Sequence, residues 1–187
     1  MSEKPKIAAG IERLSTVFRA ALWEEAKQYG LSPLQAQILL FIVSHAPALN
    51  SVSQLAKEFA VTKATVSDAV RVLIEKKLLM KRSLDDARAF SLALTASGKK
   101  YAQKSSALTA FFDKTLADIP AEDSAKIWEG LLLLLGHLQK TGIIPLRMCF
   151  SCEHYSNNKG VAYCYLLKQA LQLEDIRLDC PEHILAA

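Results

Sequence analysis

The four cysteines carry the most specific chemistry in this sequence, and none occurs before position 149. Cys149 and Cys152 form a C-x-x-C pair, Cys164 follows after eleven residues, and Cys180 follows after another fifteen. A C-x-x-C step places two thiolates on one turn of backbone, within reach of a single metal centre, and two more cysteines complete a tetrahedral set. The N-terminal Met1-Ser-Glu-Lys-Pro-Lys6 is charged with no apolar stretch behind it, so no signal peptide is expected and the chain is assigned to the cytoplasm. Thiols stay reduced there, and an even count then points to metal rather than to disulfides. A segment of roughly forty residues buries little core by itself, so a metal staple would help it fold. The competing reading is four reduced cysteines packed as small hydrophobes.

A second group of residues suits phosphate. The net charge is +4 with a pI near 8.8, which alone describes any solvated basic surface. The distribution is more informative. Between Val61 and Lys104 there are ten Lys or Arg against four Asp or Glu, whereas from Pro145 onward there are four against five. A basic middle beside a neutral tail suggests a local polyanion-binding face. Lys63, Arg71, Lys81, Arg82 and Arg88 can neutralise phosphates, which gives salt-dependent affinity without sequence preference. Base-edge readout then falls to Arg71 first and to Ser67 and Lys63 next, with Thr65 on the same face. Asp68 shares that face but would repel phosphate.

These residues need elements to position them. The chain has 187 residues, 51% hydrophobic and 22% charged, with mean hydropathy +0.14, which excludes disordered and collagen-like classes. The apolar runs Ile38–Val43 and Leu131–Leu135 fall far short of the roughly 18 residues of a membrane span. Ile7, Ile11, Leu14, Phe18 and Leu22 mark one stripe of a first helix to Tyr29. Ser32-Pro33 starts a second helix, apolar nearly all round and hence interior, that ends before Pro47. A short helix capped by Ser53 runs to Phe59, Ala60-Val61 turns, and Thr62 caps a longer helix to Lys76 that buries Val66, Ala69, Val70 and Leu73. Two such helices, the second basic outside, make a helix-turn-helix pattern. From Leu78 the period becomes two. Leu78–Ser83 and Ala89–Leu94 read as a two-stranded wing turning at Leu84–Ala87, with Phe90, Leu92 and Leu94 on one face. Thr95 caps a helix to Leu116, and Pro120 opens a last helix to Thr141 whose five leucines are too apolar to face water alone.

The stretch Leu31 to Lys100 resembles the winged helix-turn-helix of the MarR family of bacterial and archaeal transcriptional regulators. The match is carried by Leu31-Ser-Pro-Leu-Gln35, by Gln54-Leu-Ala56 through Thr65-Val-Ser67, and by Asp86-Ala-Arg88 followed by Leu94-Thr-Ala-Ser-Gly98. The helix order fits over about the first 141 residues. The resemblance implies a symmetric homodimer held by the first helix and the last two, presenting two recognition helices to successive major grooves of a palindromic double-stranded operator. It also implies base reading by the helix from Thr62 to Lys76, and a wing whose Arg88 enters the minor groove, oriented by Asp86. Where the family usually has glycine at the end of that helix, this chain has Lys77, which implies a different or strained cap.

The tail after Pro145 extends beyond the usual family length. Zinc and a [4Fe–4S] cluster both accept four thiolates. Cys180-Pro181 has the Cys-Pro pairing of bacterial ferredoxin runs. Phe150, Tyr155, Tyr163 and Tyr165 offer bulky surface that could shield a cluster, and the cysteine layout looks like that of high-potential iron–sulfur proteins. A zinc ribbon more often has two C-x-x-C pairs. The cluster is therefore favoured, with zinc as the alternative. His154 and His183 read as neighbours of the ligands, and His45 and His137 as structural.

The expected architecture is mainly α: an N-terminal dimerisation helix (1–30), a winged helix-turn-helix with its two-stranded β wing (31–95), dimerisation helices (96–144) and a metal-binding extension (145–187). The expected function is transcriptional regulation coupled to a redox-, oxygen- or iron-sensing cluster. The alternative is a regulator with a small-molecule effector and a structural zinc. An enzyme is not expected, because the sequence has no Gly-rich phosphate loop, no H-E-x-x-H and no nucleophile elbow.

Overall fold

A computed structural model of the chain describes residues 3–83, 90–104, 107–158 and 160–186. The chain divides into two compact units, Met1–Leu55 with Thr62–Asp118, and Ala56–Val61 with Ile119–Ala187. No described helix is long and apolar enough to cross a membrane.

The first unit is built around α2 (Pro33–Ser44), which buries Ala36, Ile38, Leu39, Phe41 and Ile42 and packs against α1 (Lys4–Gln28) and three later elements. Its start is fixed by a reciprocal cap. Ser32 Oγ accepts the Gln35 N–H at 3.3 Å, Gln35 Oε1 accepts the Ser32 N–H at 2.9 Å, and Pro33 supplies a preset φ. The short helix α3 (Val52–Glu58) begins earlier than the sequence suggests. Ser51, not Ser53, is its cap, because Ser51 Oγ accepts the Gln54 N–H. A turn with Ala60 at φ +51° leads to α4 (Lys63–Glu75), capped by Thr62 and burying Val66, Ala69, Val70 and Leu73 as expected.

α4 ends at Lys77, whose φ is +57°. The Lys77 and Leu78 N–H groups bond back to the Ile74 and Leu73 carbonyls, closing the helix as a glycine would. The left-handed conformation costs a non-glycine residue about 1–2 kcal/mol, only part of which glycine's greater chain entropy would cancel. Lys77→Gly should therefore raise unfolding stability by about 0.5–1 kcal/mol. Chemical denaturation checks this, and a lower midpoint would contradict the strained-cap reading.

The strands β1 (Leu79–Ser83) and β2 (Phe90–Leu94) pair antiparallel, from Leu79 opposite Leu94 to Ser83 opposite Phe90. The expected alternation holds only partly. Leu92 and Leu94 are buried, but Phe90 is exposed, with the Lys81 ammonium 4.6 Å from its ring centroid. The expected turn at Leu84–Ala87, with Asp86 and Arg88, lies outside the described residues. The stretch expected as one helix from Thr95 is described as α5 (Ala96–Lys104) and α6 (Ala107–Ala117), on either side of residues 105–106. Thr95 caps α5 through the Gly98 N–H, and its hydroxyl also donates to the Lys77 carbonyl.

The second unit packs α7 (Ala121–Gln139) on a three-stranded antiparallel sheet ordered β3 (Tyr155–Asn158), β4 (Val161–Cys164), β5 (Gln169–Leu171). The sequence reading did not assign this sheet. Its core is Leu132, Met148, Leu171 and Ile176, with Trp128, Leu135 and Tyr155 against it. The Trp128 indole N–H donates to the Leu173 carbonyl at 2.9 Å, which fixes the helix to the tail. Ile7, Ile11, Leu14 and Phe18 on α1, and Ile127, Leu131, Leu133 and Leu138 on α7, remain exposed.

Candidate nucleic-acid face and cysteine cluster

The exposed face of α4 collects the residues expected to meet phosphate and bases. Burying Val66, Ala69, Val70 and Leu73 turns Lys63, Thr65, Ser67, Asp68 and Arg71 outward by helical geometry. Thr65 is partly committed to the cap, since its N–H and hydroxyl both meet Thr62 Oγ1. Arg71 stands between two carboxylates, 3.6 Å from Asp68 and 3.2 Å from Glu75. All three side chains are more than half exposed, so these pairs are weak and can be exchanged for a stronger anion. A groove of about 700 Å³ lies between α4 and the paired strands, lined by Ser67, Arg71, Lys81 and Phe90 among others. Lys81 and Arg82 are exposed on β1. Asp86 and Arg88 lie outside the described residues.

In the second unit Cys149 lies within electrostatic reach of the other three cysteines. Each is partly exposed and free of disulfide. Burial raises the Cys149 thiol pKa, and the charges of Cys180, Cys152 and Cys164 raise it further, while the Arg177 N–H opposes them. That N–H donates to Cys149 Sγ at 3.3 Å. Backbone bonds tie the loops carrying the thiols together. The Cys149 N–H donates to the Arg177 carbonyl, the Cys180 N–H to the Arg147 carbonyl, and the Glu153 N–H to the Ile184 carbonyl. Cys149 and Cys164 pack against the core formed by Met148 and its neighbours. Among the described residues, no three His, Cys, Asp or Glu side chains stand in an arrangement that could hold a metal ion.

The aromatic shield expected from sequence is partial. Tyr155 packs on the core and meets Phe150 edge-on at 5.7 Å, but Phe150 and Tyr165 are exposed. Met148 and Ile176, which the sequence reading did not single out, supply the buried wall instead.

His183 Nε2 lies 2.8 Å from Ser151 Oγ, and burial, with the Arg147 charge, lowers its pKa despite Asp179. His154 faces Glu153 at 3.7 Å. His45 stacks on Phe41 and meets its carbonyl at 2.7 Å, as a structural residue would. His137 is exposed on α7.

No local residue pattern points to Arg147. Its side chain is 13% exposed, with Nε on Asp179 and Nη2 on Glu58 at 3.1 Å. Burial alone would lower the guanidinium pKa, but the Asp179 and Glu58 carboxylates raise it overall. The only sequence signal available was one arginine beside a C-x-x-C pair.

Residues 29–89 match the sequence model of the MarR family. No curated protein matches the chain. Among solved structures, the Staphylococcus aureus transcription regulator MepR, described as regulating the multidrug efflux pump MepA, is 22% identical and superposes with a TM-score of 0.58. It covers 71% of this chain and 98% of its own. MepR bound to DNA gives 0.59 at 21% identity, over 70% of this chain and 96% of its own. A MarR transcriptional regulator from Methanosarcina mazei Go1 gives 0.63 at 16% identity, over 73% of this chain and 99% of its own. The chain thus shares the MarR winged-helix fold over about seven-tenths of its length, with the MarR sequence pattern in residues 29–89.

Proposed function

We propose that the chain is a sequence-specific, double-stranded-DNA-binding transcriptional regulator acting as a homodimer. The observation that carries this reading is the outward face of α4, where Ser67 and Arg71 line one groove with the basic strand residue Lys81. The fold's likeness to MepR, which has been solved on DNA, supports it. So do the exposed apolar faces of α1 and α7, which a second copy would cover. In this reading Arg71 leaves Asp68 and Glu75 for a base edge, Lys81 and Arg82 hold phosphates, and Arg88, oriented by Asp86, enters the minor groove.

The salt dependence of binding and two variants test the reading. Duplex affinity should fall steeply with salt, and Arg88→Ala should weaken binding to every duplex and reduce the salt slope by about one. Asp68→Asn should raise affinity by about two- to five-fold, because it releases Arg71 from an exposed pair worth up to about 1 kcal/mol and removes a repelling charge. Anisotropy titrations on one duplex read all three. Salt-independent binding, or an Asp68→Asn protein that binds more weakly, would contradict the assignment.

The tail is assigned a metal site in which Cys149, Cys152, Cys164 and Cys180 close as four thiolates. The C-x-x-C spacing with two further cysteines and the Arg177 N–H on the Cys149 sulfur support this donor set, although no three of the described side chains already stand in a metal-holding arrangement. A [4Fe–4S] cluster would add redox chemistry, and the regulator would then answer oxygen, oxidant or iron. Zinc, the second reading, would act as a staple and leave signalling to a small-molecule effector. Anaerobically purified protein assayed for iron, sulfide and zinc separates the two. Brown protein with iron and sulfide is expected. Colourless protein with one zinc per chain would overturn the cluster and leave the staple, and metal-free protein would overturn both.

A further inference from the structure

The two strands β1 and β2 direct their side chains to two different sites. They pair with Arg82 opposite Ser91 and Lys81 opposite Leu92, and side chains alternate along a strand. Lys81 and Phe90 line the groove against α4, whereas Arg82 and Ser91 turn to the other face. There they line a separate cavity of about 470 Å³, with His45, Asn50 and Lys99 as its other polar residues. All five residues belong to the first unit.

Asn50 is 3% exposed, and its side-chain oxygen has no hydrogen-bond partner among the described residues. Its backbone is anchored on both sides. The Asn50 N–H donates to the Pro47 carbonyl at 3.1 Å, and its carbonyl accepts the Leu92 N–H at 2.8 Å. These bonds hold Asn50 against β2 next to Ser91, itself 2% exposed. A buried acceptor without a donor is costly, and a ligand O–H at that oxygen would relieve the cost.

The charge of the cavity is one-sided. Arg82 and Lys99 line it, no Asp or Glu does, and neither cation has a carboxylate partner among the described residues. The two cations approach from opposite ends. Arg82 stands across from Ser91, three residues before β2 ends at Leu94, and Lys99 is on α5 beyond that end. At about 3.4 Å per residue, roughly 10 Å of strand separates Ser91 from the end that leads to α5. A phosphate concentrates its charge at one point, so cations at two ends suit a dicarboxylate. Ile42, Val43 and Pro47 supply an apolar wall for a short carbon chain. His45, stacked on Phe41 with Nδ1 at 2.7 Å from its carbonyl, fixes another wall. The volume lies toward the lower end for small-molecule sites.

We propose that this cavity binds a small hydroxy-dicarboxylate, with one carboxylate on Arg82, the other on Lys99, and the hydroxyl donating to the Asn50 side-chain oxygen.

The test is calorimetric titration of the DNA-free full chain, because Arg82 also holds phosphate in the proposed DNA complex. The probes are malate, succinate, lactate and inorganic phosphate. Malate should bind most tightly. Succinate keeps both carboxylates but lacks the hydroxyl, and should bind about two- to ten-fold more weakly, the worth of one hydrogen bond. Lactate has one carboxylate and phosphate has its charge at one point, so both should bind more weakly than malate. In Asn50→Ala, malate and succinate should bind alike, within about two-fold. A merely structural Asn50 would leave their ratio at its wild-type value. Lys99 is exposed on α5, so Lys99→Gln should keep the fold. It should lower malate affinity by about three- to five-fold and preserve the malate-to-succinate ratio.

Wild-type protein that binds no malate up to about 10 mM overturns the proposal. So does phosphate binding as tight as malate binding, a malate affinity unchanged in Lys99→Gln, or a malate preference retained in Asn50→Ala. Should Asn50→Ala not fold, equal binding of malate and succinate by the wild type overturns the hydroxyl contact without it.

Discussion

Leu132→Glu should unfold the tail while leaving the helix-turn-helix intact. Leu132 is 2% exposed and sits in a core that has only three other buried members among the described residues, Met148, Leu171 and Ile176. Truncating such a leucine typically costs about 2–5 kcal/mol, and burying a carboxylate with no partner costs more. A core this small has little stability in reserve. Limited trypsin digestion should therefore cut the variant at Arg147, Lys168 and Arg177 under conditions where the wild type resists. Wild-type resistance would contradict the packing of α7 on the tail. Leu132 and Leu135 belong to the five-leucine run that is too apolar to face water alone, and both face the tail core. Leu133, 65% exposed, points away from it, so Leu133→Glu should keep the trypsin pattern and shift sedimentation toward monomer.

Gly98→Ala should destabilise the first unit by about 3 kcal/mol, at the upper end of what overpacking costs. A β-carbon at position 98 would lie 2.1 Å from the Leu78 carbonyl oxygen, a backbone atom that no rotamer change can move. That carbonyl also accepts the Thr95 N–H, so the methyl group would push α5 away from the strand entry it is bonded to. Thermal unfolding followed by circular dichroism reads the effect. A melting temperature within a degree or two of wild type would show that the contact is not tight. This close approach gives a physical reason for glycine in the Leu94-Thr-Ala-Ser-Gly98 pattern, which the sequence could offer only as a resemblance.

The first unit was legible because its signals are local. Ser32, Thr62 and Thr95 each cap the helix they precede, and the Val66–Leu73 face repeats at helical spacing. The strain at Lys77 could be anticipated because a residue without glycine's freedom occupies a position that needs positive φ. The cap of α3 was misplaced because Ser51 and Ser53 offer the same oxygen two residues apart. Phe90 broke the strand alternation because, in a two-stranded wing, an aromatic ring can satisfy itself on a neighbouring Lys81 instead of a core. The sheet of the tail was missed for a different reason. Its strands are three or four residues long, too short for a period of two to emerge. The Arg147–Glu58 pair joins residues 89 apart, and no local pattern reports a contact at that separation.

The most direct measurement of the central claim is the DNA site selected by the full chain from a pool of random duplexes, footprinted with wild type and with Arg71→Ala. The account predicts a palindrome whose half-sites are centred about 10–10.5 base pairs apart, or a multiple of that, both protected together. Arg71→Ala should lose preference at one base position in each half-site, and keep the flanking protection that Lys63, Lys81 and Arg82 supply through phosphates. A selected pool with no consensus, a single unrepeated half-site, or an Arg71→Ala protein with unchanged preference at every position would contradict base reading by α4 in a two-fold dimer.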